Sequence, residues 1–233
     1  MEIPGDLSTF SILLLGFVLG LRHATEADHL AAVSTIVGER KSLFASSIVG
    51  GLWGVGHTLS LFVVGLGVIF LKLQISERAE VWLESLVGLM LVVLGLNALL
   101  NLLRTEKMHA HAHDHGGMVH VHLHTHERSE DVSPHHRFSP RSVVVGMVHG
   151  LAGSAALMLL VVPAIESPGV AIAYILTFGV GSIAGMMVMS FLIGLPFHYT
   201  AGRWEALNTA IRFCAGLCSV ALGGWIILVK LNS

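Results

Sequence analysis

The chain has 233 residues, of which 54% are hydrophobic and 12% charged, and its mean hydropathy is +0.77. This composition excludes an ordinary soluble domain and a disordered protein, and it indicates an all-α integral membrane protein. The formal charge is −2, and no basic cluster interleaved with aromatic residues is present, so nucleic acid is not an expected partner.

Six apolar runs are long enough to cross about 30 Å of hydrocarbon as helices. The predicted spans lie near residues 7–37, 43–71, 81–103, 142–165, 170–197 and 206–231. The chain then divides into a first three-helix repeat (1–104), a polar loop (105–141) and a second three-helix repeat (142–233). The first run lacks the basic segment and cleavage site of a secretory signal, so we expect it to be a mature helix.

The two halves are similar to each other. "LLLGFVLGL" at 13–21 matches "VVVGMVHGL" at 143–151 with an offset of 130, and "VGLMLVVLG" at 87–95 matches "AGLCSVALG" at 215–223 with an offset of 128. The offset of 130 also aligns Gly51 with Gly181 and Ser60 with Ser190. Because three helices are an odd number, the second unit enters the membrane from the opposite side. The pattern predicts a 3+3 inverted repeat, a plan common among transporters, although short Gly and Leu matches also arise by chance.

The basic residues predict the orientation in the cell (plasma or inner) membrane. One side carries more of them, and that side should be cytoplasmic. Its members are Arg40, Lys41, Arg104, Lys107, Arg128, Arg137, Arg141 and Arg203, against Lys72, Arg78 and Lys230 on the other side. Both termini are then outside, and the long loop is cytoplasmic.

The first span contains the polar stretch "GLRHATEADHL" at 20–30. Each charge at the bilayer centre costs about 2.5–3.5 kcal/mol on insertion scales, so these groups should face protein and serve a function. In a regular helix Arg22, Glu26 and His29 share a stripe and can pair, whereas His23 and Asp28 point elsewhere. Either protein surrounds this helix, or it unwinds locally so that its ligands converge.

Imidazole and carboxylate together are typical ligands of first-row divalent metals. His23, Asp28 and His29 offer three, and His57 of the second span offers a fourth among small residues that allow close helix approach. The sequence predicts a metal transport site on these four residues, with Arg22 paired to Glu26 as support. The alternatives are polar residues that only fix helix packing, or a proton relay without metal.

These residues resemble the motifs of the nickel/cobalt transporter (NiCoT) family, and more closely those of its urease-accessory, UreH-like branch. "RHATEADH" keeps the His-x4-Asp-His spacing of the first motif, and "GVGHTLS" matches the Gly-His-Ser of the second with Thr58 in place of serine. The resemblance implies transport of a transition-metal ion. The chain departs from the family in its third motif, in Ser190 where an acid is usual, and in six helices rather than eight.

The polar loop holds ten of the fifteen histidines. Alternating histidines usually bind metals, and the composition predicts disorder without metal. We expect a collector or sensor of ions, or else a simple linker. The candidate ligands are His109, His111, His113, His115, His120, His122, His124 and His126.

The expected function is a permease rather than an enzyme, with Ni²⁺ or Co²⁺ as substrate and no tightly bound cofactor. A cytoplasmic metallochaperone is the expected partner beside the bilayer and the ion. His149 is a supporting candidate from the second half, or a packing histidine. An efflux protein, a membrane accessory protein for urease or hydrogenase maturation, and a thiol electron carrier using Cys214 and Cys218 remain alternatives. The sequence leaves the direction of transport and the oligomeric state open.

Overall fold

The computed structural model describes residues 5–38, 42–72, 76–105, 109–114, 119–124, 140–151, 162 and 165–232. Those residues form seven helices and one two-stranded hairpin. In chain order the elements are α1 (Gly5–His23), α2 (Ala27–Val37), α3 (Leu43–Leu71), α4 (Glu77–Thr105), β1 (His109–Asp114), β2 (Val119–His124), α5 (Pro140–Gly150), α6 (Pro168–Thr200) and α7 (Glu205–Leu231).

The helices make this a multi-pass membrane protein. Within the described residues α3, α4, α6 and α7 are each long and apolar enough to cross a bilayer, and α1 with α2 passes the same test as one broken span. Of the predicted span at 142–165, α5 covers the beginning, and most of the remainder lies outside the described residues. Large apolar side chains such as Val63, Val93, Val180 and Leu228 are exposed, as a surface in contact with acyl chains requires.

Glycine contacts bring the helices close together and give their directions. Helix α1 runs parallel to α6, since a side chain at Gly16 would meet Tyr174 and one at Gly20 would meet the Phe178 backbone. In the same way α3 packs along α5 in parallel and against α6 in antiparallel fashion, and α4 is antiparallel to α7. Such backbone approach at small residues is how helices associate in lipid.

Part of the histidine-rich loop forms an antiparallel hairpin, whereas the composition predicts disorder for it. The backbone register pairs His109 with His124, His111 with His122 and His113 with His120. The strictly alternating sequence has the two-residue period of a β-strand, a local signal that overall composition does not contain. His115 and His126 lie outside the described residues, and the loop boundaries at 105 and 141 stay a prediction.

Candidate metal centre

A break in the first span creates the centre. Helix α1 ends at His23, and α2 begins at Ala27 with its axis bent by 55°. The intervening turn is closed by hydrogen bonds that Thr25 donates to the Arg22 carbonyl from its backbone N–H (2.9 Å) and its hydroxyl (2.6 Å). The bend brings the His23 and His29 rings to 4.3 Å between centroids. Of the two arrangements that the sequence allows, the structure has the unwound one.

The first ligand group consists of three buried histidines, which we call the histidine triad: His23, His29 and His57. Their candidate ligand atoms all lie within 4.8 Å of one another. His23 Nε2 lies 3.2 Å from His57 Nε2, and His29 and His57 are each 0% exposed. Three helices, α1, α2 and α3, therefore direct imidazoles to a single point inside the bundle.

The second group, which we call the mixed triad, consists of Asp28, His29 and His149, again with ligand atoms within 4.8 Å. The Asp28 carboxylate accepts hydrogen bonds of 3.0 Å from His29 Nδ1 and from His149 Nε2. Helix α5 thus places a candidate ligand atom, His149 Nε2, beside Asp28. The repeat alignment predicts only that His149 lies near the pathway, one turn from the position that matches His23.

Several imidazole nitrogens in this cluster have no hydrogen-bond partner among the residues that the structure describes. They are His29 Nε2, His57 Nδ1 and His149 Nδ1, and all are buried. A buried polar atom without a partner costs about 1–3 kcal/mol, so these nitrogens are candidates to bind a ligand. Since His29 and His149 donate their other nitrogen to Asp28, their free nitrogens match the usual arrangement of metal-ligating histidines held by a carboxylate.

Trp53 forms an apolar wall of the centre that sequence reasoning misses. Its side chain is 1% exposed, stacks on His29 at 5.4 Å and meets the His149 ring edge at 5.4 Å. The signal was available, because Trp53 precedes His57 by four residues and so lies on the same face of α3. A wall of this kind excludes water from the histidines.

The other predicted supports lie elsewhere. No ion pair joins Arg22 to Glu26 in the described part of the chain. Glu26 Oε1 instead lies 3.0 Å from His23 Nδ1. The four-residue pairing needs an unbroken helix, and α1 ends between the two residues. Thr58 donates to the Gly179 carbonyl of α6 at 3.3 Å, so it contributes to helix packing rather than to the ligand cluster.

Two cavities of about 350 Å³ border the ligand groups. The first, which we call the acidic cavity, is lined by Asp28 and His149 and also by Glu26, Glu84 and Lys230. Glu84 of α4 and Lys230 of α7 form an ion pair there. The second, which we call the arginine cavity, is lined by His23 and also by Arg22, Glu26 and Phe178 among others. Sequence reasoning did not single out Glu84, although it lies inside the predicted third span.

Comparisons with known proteins agree with this chemistry. The family described as "NicO: High-affinity nickel-transport protein" matches residues 9–229. Over 216 residues the chain is 41% identical to the urease accessory protein UreH of Bacillus sp. (strain TB-90), covering 91% of this chain and 89% of that protein.

Two further relatives are more distant. The high-affinity nickel transport protein of Cupriavidus necator is 32% identical over 78 residues, which is 32% of this chain and 22% of that protein. Chloroplast protein FOR GROWTH AND FERTILITY 1 of Arabidopsis thaliana is 25% identical over 217 residues, covering 91% of this chain and 58% of that protein. No solved structure is significantly similar to the chain.

Proposed function

The chain belongs to the high-affinity nickel-transport protein family, and we propose that it is a permease for a divalent transition-metal ion, Ni²⁺ first and Co²⁺ second. The observation that carries the proposal is the convergence of four buried histidines and one aspartate from α1, α2, α3 and α5. Neutral imidazoles with a single carboxylate suit Ni²⁺ and Co²⁺ better than Mg²⁺ or Ca²⁺, which prefer oxygen ligands. The ion is cargo rather than a resident cofactor, and moving it requires no catalysis.

The transport site is proposed on His23, Asp28, His29 and His57, with His149 added by the geometry. The interior of the bundle excludes water, so the ion must exchange its hydration shell for protein ligands. Histidine binds metal only when deprotonated, and occupancy therefore rises with pH. A proton gradient that protonates the histidines on one side would favour release there.

The glycine contacts support a 3+3 inverted repeat. A side chain at Gly88 would meet the Gly223 carbonyl, and one at Gly95 would meet the Gly216 carbonyl. Under the repeat offset of 128, Gly88 is equivalent to Gly216 and Gly95 is equivalent to Gly223. Applying the offset to the Gly88–Gly223 contact therefore gives the Gly95–Gly216 contact, and the reverse also holds. A pair of antiparallel helices related by a two-fold axis in the membrane plane has this property.

The contacts of α1 with α6 and of α5 with α3 also agree with a repeat, but they align α3 with α6 at a different sequence offset. Gly16 packs on Tyr174 and Gly20 on Phe178, while their repeat partners Gly146 and Gly150 pack on Trp53 and His57. Trp53 and Tyr174 are 121 residues apart, as are His57 and Phe178. We therefore propose an offset of 121 here, in place of the 130 that aligns Gly51 with Gly181. Phe178 then occupies the place of His57, so only one half supplies imidazole from this helix.

The proposed orientation places both termini outside and the histidine-rich loop in the cytoplasm. There the loop would collect ions or receive them from a metallochaperone. The name of the Bacillus relative, a urease accessory protein, supports delivery to a nickel enzyme as a second candidate role. An efflux protein would use the same buried site.

Uptake of ⁶³Ni²⁺ by proteoliposomes containing the full chain tests the proposal. We expect saturable uptake that His57→Ala abolishes, whereas the control His198→Ala, at an exposed position of α6, transports normally. Equal uptake by the His57 variant would refute the site assignment. Cellular nickel content on expression decides direction, since an importer raises it and an exporter lowers it.

A further inference from the structure

The two ligand groups share one residue and border different cavities. His29 belongs to both the histidine triad and the mixed triad. Asp28 and His149 of the mixed triad line the acidic cavity, whereas His23 of the histidine triad lines the arginine cavity. His29 lines neither of these cavities and is 0% exposed. Glu26 lines both cavities, and His29 is the residue that the two ligand groups share, so an ion passing from one group to the other would keep contact with His29.

We propose that the two triads are successive stations of one ion path, and that His149 is a metal ligand of the station facing the acidic cavity. This inference rests on the proposed permease function and extends it. The ion enters the mixed triad, exchanges Asp28 and His149 for His23 and His57 while His29 keeps contact, and leaves through the arginine cavity, or travels in reverse.

The electrostatics of the two stations are balanced. The mixed triad contributes one carboxylate directly, through Asp28. The histidine triad contributes one indirectly, because Glu26 Oε1 lies 3.0 Å from His23 Nδ1. A dication thus meets one nearby carboxylate at either station.

The stations hold one ion at a time. The His57 and His149 ring centroids are only 5.9 Å apart, and His29 is common to both groups. Two dications at such a separation in a water-poor interior repel each other strongly. Transfer between the stations therefore precedes binding of the next ion.

The charges of the acidic cavity suit a cation entrance. Glu26, Asp28 and Glu84 supply three carboxylates against the single ammonium group of Lys230. His149 also lines this cavity, and its Nε2 lies 3.0 Å from the Asp28 carboxylate. The arginine cavity instead holds Arg22 with Glu26, whose charges cancel, so it is less negative than the acidic cavity.

The test compares His149→Gln and His23→Gln with the control His198→Gln. Metal analysis and spectra use the protein lacking 109–126, because the loop histidines would also bind Ni²⁺, and uptake is measured with the full chain. Glutamine at 149 can still donate a hydrogen bond to Asp28, so the local structure is kept. Bound Ni²⁺ is counted by metal analysis, its ligands are identified by X-ray absorption, and ⁶³Ni²⁺ uptake is measured in liposomes.

For His149→Gln we expect one bound Ni²⁺ with an imidazole-rich spectrum, affinity within about threefold of wild type, and uptake at least tenfold slower. For His23→Gln we expect bound Ni²⁺ whose spectrum gains oxygen, because the ion rests on the mixed triad. Wild-type uptake by His149→Gln would overturn the relay, as would complete loss of Ni²⁺ binding in His23→Gln. If wild-type vesicles take up no Ni²⁺, the permease proposal fails, and the spectra still decide whether two stations exist.

Discussion

The tight α4–α7 contact predicts that two neighbouring glycines respond oppositely to the same substitution. A Cβ at Gly223 would lie 2.9 Å from Leu91 Cβ and close to the Gly88 carbonyl, whereas a Cβ at Gly224 would meet nothing within 4 Å. Ordinary contacts begin at 3.4 Å, so Gly223→Ala forces the two helices apart by about half an ångström or more. Overpacking of this kind costs about 1–3 kcal/mol.

Gly224→Ala is the matched control, because both substitutions gain the same helix propensity, up to about 1 kcal/mol. The difference between the two variants then isolates the packing cost. For a chain of this size each kcal/mol corresponds to about 2–4 °C in Tm. We expect Gly223→Ala to unfold roughly 2–12 °C below Gly224→Ala when the detergent-solubilised protein is followed by circular dichroism. Equal Tm values, or a lower one for Gly224→Ala, would refute the described α4–α7 interface.

Three further predictions concern the ion path. Ni²⁺ binding should fall as the pH is lowered and recover on return, because imidazoles bind metal only when deprotonated. Equilibrium dialysis measures this, and pH-independent binding would contradict a histidine site. Glu84→Gln should slow uptake at low Ni²⁺ several-fold, because it removes a carboxylate from the acidic cavity. The control Glu77→Gln, exposed at the start of α4, should not slow uptake. Uptake at several salt concentrations tests this, and equal rates for the two variants would show that the cavity is not an entrance. Deleting 109–126 should reduce uptake at limiting Ni²⁺ but not the maximal rate at saturating Ni²⁺. If uptake at limiting Ni²⁺ and the metal sensitivity of cells both equal those of the wild type, the loop has no such role.

The membrane class and much of the candidate ligand set could be predicted from the sequence. Charged residues in an apolar span are costly enough to demand protein partners, so His23, Asp28 and His29 stand out without any structure. His57 stands out because no other ionisable residue lies near it in its span. The family motifs point to the same residues, and the structure brings them together at one bend.

The remainder of the centre depends on how the chain bends and which helices meet. Helical spacing predicts an Arg22–Glu26 pair, but the break after His23 redirects Glu26 to the His23 imidazole. The role of His149 depends on α5 packing along α3, a long-range contact that no local pattern contains. The Glu84–Lys230 pair likewise joins residues far apart in sequence. The proposed repeat is a further example. Glycine matches in the sequence align α3 with α6 at an offset of 130, whereas the helix contacts favour an offset of 121.

The central claim is that buried histidines at the break of the first span hold the transported ion. The most direct measurement is the nickel K-edge X-ray absorption spectrum of the protein lacking 109–126, loaded with one equivalent of Ni²⁺, so that the loop histidines cannot contribute. We predict the multiple-scattering pattern of at least two imidazole ligands, which His57→Ala weakens. A spectrum of oxygen ligands alone, unchanged by that substitution, would contradict the claim.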